Sequence, residues 1–111
     1  MALKPSYNDK LHLPGLSKTE ILILALEASQ KLEWNIEEVT PEGARFEVPF
    51  NMYSHGEEIT FTIEPGSDGE VAVRSQSSSV QFVDYGKNRK NIQKLRETME
   101  EIKTSLTPEE L

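Results

Sequence analysis

The chain has 111 residues, and 12 Lys and Arg against 19 Asp and Glu give a formal net charge of −7. Hydrophobic residues make up 36%, enough for one modest core and one domain. The longest apolar run, residues 21–26, falls far short of the roughly 20 residues of a membrane span. The lack of Cys excludes disulfides, thiolate catalysis and Cys-ligated metals. Residues 1–8 hold no apolar stretch, so no signal peptide is predicted, and a cytoplasmic location is the default expectation. The acidic balance argues against a nucleic-acid binder.

Residues 1–15 read as a lead-in segment. Pro5, Asn8, Asp9, Pro14 and Gly15 punctuate it too often for a helix. Leu11 and Leu13 alternate with Lys10 and His12, which suits a short edge strand or an extended arm. A single domain is expected over residues 16–104. It opens on Ser17-Lys18-Thr19-Glu20, a capping box, with Leu16 and Ile21 in the positions of a hydrophobic staple. Ile21, Leu24, Ala25, Ala28 and Leu32 follow at helical spacing, predicting a helix to about 31–33.

The period then changes to two. Trp34 and Ile36 begin it. After Pro41-Glu42-Gly43 come Ala44, Phe46, Val48 and Phe50. Ile59, Phe61 and Ile63 follow, then Val71 and Val73 beyond the turn Pro65-Gly66. These patterns predict four strands, each with one apolar face. Their short connections require an antiparallel meander. Pro49 has no N–H to donate, so the second strand is expected to be broken or unpaired there. The last helix is predicted to start near residues 84–86, with Tyr85, Asn88, Ile92, Leu95, Met99 and Ile102 on one stripe.

The expected fold is therefore α+β, in the order α-β-β-β-β-α. It is a two-layer sandwich with both helices on one face of the meander. Its predicted core is Ile21, Leu24, Ala28, Trp34, Phe46, Val48, Phe61, Ile63, Val71, Val73, Ile92 and Leu95. Arg45, Glu47, Glu58, Thr60, Thr62, Glu64, Arg74 and Gln76 are expected on the wet face. Residues 105–111 form a tail or the start of a following helix. Thr107-Pro108-Glu109-Glu110 is a helix-start signal, from which the natural chain is expected to continue.

No catalytic pattern is present. His12 and His55 lack metal-ligand spacing, Gly86-Lys87 lacks the rest of a phosphate-binding loop, and no nucleophile elbow occurs. The expectation is a non-enzyme without cofactor or metal. Two segments carry the candidate site. One is the Ser-rich run from Arg74 through Ser75 and Ser77 to Ser79. The other is Asp84-Tyr85-Gly86-Lys87-Asn88-Arg89-Lys90. Three cations at a helix N-terminus oppose the macrodipole unless Asp84 or an external anion offsets them. The candidate anion- or partner-binding residues are therefore Arg74, Ser75, Ser77, Asp84, Lys87, Asn88, Arg89 and Lys90. Phosphate and anionic lipid are the candidate anions.

The pattern R-S-x-S, a gap, then D-x-G-x-N-R-K-x-I over residues 74–92 resembles the signature of a bacterial domain of unknown function. That domain is similar to the soluble cytoplasmic part accompanying some rhomboid-family intramembrane proteases, and the resemblance extends over about residues 17–103. It implies a non-catalytic accessory or interaction domain, the soluble part of, or partner to, a membrane protein. A membrane-protein segment in cis or another protein would be its partner. The rhomboid Ser–His dyad lies in membrane helices, so Ser75 and Ser77 do not correspond to it. The alternative is a stand-alone small-ligand or anion-binding protein.

Overall fold

The computed structural model describes residues 5–49, 56–77 and 86–106. Ser17 caps the first helix, α1 (Lys18–Lys31), as expected. Its hydroxyl accepts the Glu20 N–H, while the Glu20 carboxylate accepts the Ser17 N–H. The second helix, α2 (Lys87–Ser105), starts after Gly86, which holds a left-handed conformation at φ 75°.

Five strands, not four, form one antiparallel sheet. They are β1 (Ser6–His12), β2 (Asn35–Thr40), β3 (Gly43–Val48), β4 (Glu57–Ile63) and β5 (Glu70–Ser77), in the spatial order β1-β5-β4-β3-β2. The meander β2–β5 follows the sequence pattern. The additional strand is β1, supplied by the lead-in segment, which pairs antiparallel with β5 from Ser6↔Gln76 to His12↔Glu70. The element order is thus β-α-β-β-β-β-α. The physical reason is burial: Leu11 and Leu13 are 5% and 3% exposed, so the segment completes the core.

Both helices pack against each other and cover one face of the sheet. There lie Phe46, Ile59, Phe61, Ile63, Val71 and Val73, beneath Ile21, Leu24, Ala25, Ala28, Ile92, Leu95 and Met99. Trp34 joins them with its ring tilted 46° to that of Phe46. Two expectations need adjusting. Val48 packs against the core without being fully buried. Ile36 is 39% exposed because it lies on β2, an edge strand whose residues are all exposed. A register shift between Ile36 and Glu38 bulges that edge at Glu37, a feature that discourages edge-to-edge pairing. Strand β3 ends at Val48, immediately before Pro49, as a residue without an N–H requires. Phe50, predicted to continue that strand, lies outside the described residues.

Candidate functional site

Strand β5 shows how period-two geometry sorts the signature. Val71, Val73, Ser75 and Ser77 are buried beneath the helices, while Ala72, Arg74 and Gln76 alternate onto the opposite face. The residues expected at one site therefore lie on two sides of the sheet.

On the helix side the polar residues form a buried hydrogen-bonded cluster. The Ser75 hydroxyl donates to Asn88 Oδ1 at 2.7 Å. Asn88 Nδ2 donates to Ser77 Oγ and to the Pro5 carbonyl, each at 3.1 Å. Asn91 Nδ2 donates to Glu57 Oε1 at 2.9 Å and to Ser75 Oγ at 3.3 Å. The Ser77 N–H closes the group on the Pro5 carbonyl at 2.8 Å. Glu57, Ser75, Ser77 and Asn88 are all at most 1% exposed. Such groups must be paired to be tolerated in the interior, and here the pairing ties β4, β5, α2 and the start of β1 together. An amide oxygen is no base, so its contact with Ser75 does not activate that hydroxyl as a nucleophile. The cluster's hydrogen bonds join α2 to β4, β5 and the residue before β1.

Sequence reasoning assigned Ser75, Ser77 and Asn88 to binding and overlooked Glu57 and Asn91. Two signals pointed to burial. Glu57 is in phase with Ile59, Phe61 and Ile63, and Asn88 and Asn91 share the apolar stripe of Ile92 and Leu95. Of the cations at the start of α2, Lys87 is half-buried, and Arg89 and Lys90 are exposed. Asp84, Ser78, Ser79, His55 and the tail from Thr107 lie outside the described residues.

Arg74 belongs to the open face. The register sets Asn8, Arg74, Thr60, Arg45 and Glu38 in one row across all five strands. A hollow of about 530 Å³ lies over β1, β5 and β4, bordered by Asn8, Lys10, Thr60, Thr62, Arg74 and Gln76. A second hollow, of about 260 Å³, lies over β4, β3 and β2. It shares Thr60 and Thr62 with the first and is bordered by Glu38, Glu42, Arg45 and Glu58.

The two hollows differ in charge. In the first, Lys10 Nζ is paired with Glu64 at 3.1 Å. Arg74 has no ion pair among the described residues. In the second, Arg45 lies 3.9 Å from Glu37 and 3.7 Å from Glu38. Glu42 and Glu58 have no ion pair among the described residues. Among the described residues the open face therefore carries a cation without an ion pair at Arg74 on β5, and carboxylates without one at Glu58 on β4, diagonal to Arg74, and at Glu42 in the turn between β2 and β3. Asp9 is turned to the helix side, where Arg96 donates to it at 2.6 Å. That bond, aided by the Lys10 N–H, holds the Asp9 carboxyl below its ordinary range.

Among the described residues no group of His, Asp and Glu is placed to hold a metal ion. Nor, among them, is any helix long and apolar enough to cross a membrane. Residues 5–99 match a family described as a protein of unknown function, DUF1499. No curated protein matches the sequence.

Proposed function

The chain belongs to the DUF1499 family, whose function is unknown, and from that premise we propose that it is a non-catalytic interaction domain. It acts as the soluble part of a membrane protein, or as a partner to one, on the cytoplasmic side. One observation carries the interaction reading. The sheet separates architecture on its helix side from unspent charge on its open side, at Arg74, Glu42 and Glu58. Antiparallel sheets tolerate a wet face, but hollows bordered by unpaired charge are features that a complementary surface recognises. The membrane context is supported by the resemblance of residues 74–92 to the domain that accompanies rhomboid-family proteases.

The test is a photo-crosslinking side chain introduced in cells, at Thr60 on the open face or at Glu97 on the exposed side of α2. The reading expects an adduct from Thr60 in the membrane fraction, none from Glu97, and loss of the adduct with Arg74→Glu. Equal adducts from both positions, or none from either, would contradict it. A second reading, a small-anion-binding protein, is favoured by Arg74, which has no ion pair among the described residues. It expects acetate or phosphate to bind that hollow unaided.

A further inference from the structure

We infer that the edge of the helix layer, over β2, is a docking groove for an amphipathic, lysine-bearing helix of a partner protein. The groove is separate from the open face, so the inference goes beyond the reading above and does not rest on it.

Two helices side by side, each about 10 Å across, cover about four strands at the usual strand spacing. The sheet has five. Helix α2 lies against β5 and β1, and α1 against β3 and β2, so the shortfall falls on β2. Ile36 pairs with Phe46 and Val39 with Ala44, and both partners are buried. Residues directly opposite each other share a face, which puts Ile36 and Val39 on the helix side. The bulge at Glu37 keeps them together there, although they are three residues apart. Yet they are 39% and 49% exposed.

Helix α1 supplies the other wall. Strands β1 and β2 are parallel edges of one sheet, and the crossover between them through α1 is right-handed. The reach of Arg96 from α2 to Asp9 on β1 agrees with that hand. The helical wheel then turns Leu22 and Leu26, half-buried and one turn apart, away from α2 and over β2. Ile23, 49% exposed, stands at the rim. The five apolar side chains line a corner the length of α1, which has 14 residues and is about 21 Å long. Strand addition is opposed by the bulge, and a corner between a helix and a sheet edge suits a helix laid along it. Exposed Glu33, Glu37 and Glu38 border the corner against Lys18 and Arg45, and Glu37 and Glu38 flank Arg45. With a net charge of −7 on the chain, such a border repels a second copy and draws a helix whose apolar stripe is flanked by lysines.

The probe is a capped peptide of two repeats of Leu-Lys-Ala-Leu-Leu-Lys-Ala, which as a helix matches α1 in length. It is titrated into the ¹⁵N-labelled chain at low and physiological salt. The expected result is saturable shifts at Leu22, Ile23 and Leu26 and at Ile36 and Val39, with Arg74 and Thr60 unmoved. Ile23→Ser and Val39→Ser, both at exposed positions, should each weaken binding about tenfold, with the urea midpoint reporting that the chain is folded. Glu37→Gln with Glu38→Gln leaves the apolar walls intact and should weaken binding about threefold, at low salt only. No saturable shift, shifts centred on Arg74 and Thr60 instead, or equal binding of the peptide with Glu for Lys or with Ser for Leu would overturn the inference. So would shifts of the same α1 and β2 amides when the chain alone is concentrated, which would give the groove to a second copy.

Discussion

Asn88 holds three segments of chain with one amide, accepting from Ser75 and donating to Ser77 and to the Pro5 carbonyl. Truncating it strands buried polar partners. Asn88→Ala should therefore cost about 1–3 kcal/mol in urea denaturation, and a loss below about 0.5 kcal/mol would show that the cluster is not what ties α2 to the sheet. Asp9 gives a pH-dependent counterpart. Its carboxyl is held low by Arg96 and the Lys10 N–H, so the folded state binds this proton more weakly than the unfolded chain does. The resulting stabilisation is complete above the unfolded carboxylate value of about 4 and is lost as pH falls through the lower folded value. Arg96→Gln should raise the Asp9 midpoint in an NMR pH titration and shrink that acid loss. An unmoved midpoint would contradict the pairing. Little of this is legible in sequence. Asn88 and Asn91 show only as polar breaks in an apolar stripe, and their burial depends on what lies beneath α2.

Among the elements, α1 and β2–β5 were readable because each carries its own local signal. The capping box starts α1, and alternation marks the strands. Phe61, in phase with Ile59 and Ile63, is 1% exposed. Phe61→Ala should cost about 3–5 kcal/mol, and a loss below about 1 kcal/mol would mean the register is off by one. Strand β1 was ambiguous because its alternation is short and its partner, β5, is distant in sequence. Its seam is built at Gly69. The Leu13 N–H donates to the Gly69 carbonyl at 2.8 Å. Gly69 holds φ at +78°, and a Cβ there would collide with the Leu13 carbonyl. Gly69→Ala should destabilise by more than about 1 kcal/mol and speed amide exchange in β1 before β3. A neutral substitution would show that the seam gives way easily.

At the scale of the molecule, the proposed reading gives the two faces of one sheet different duties. The helix side spends its polar groups on holding the fold, and the open side leaves Arg74, Glu42 and Glu58 unpaired among the described residues. The wet face was readable from alternation along each strand. The rows across strands were not, because register is set by pairing and pairing is not local. Arg74 was grouped with Ser75 and Ser77 as one candidate site, although the same alternation already sends it to the opposite face. The most direct test compares Arg74→Glu with Asn88→Ala, measuring the urea midpoint and the Thr60 cross-link yield for both. The account predicts that Arg74→Glu abolishes the cross-link at an unchanged midpoint, and that Asn88→Ala lowers the midpoint but keeps the cross-link wherever it is folded. Loss of the cross-link in folded Asn88→Ala, or its survival in Arg74→Glu, would contradict the division of the sheet into an architectural face and a binding face.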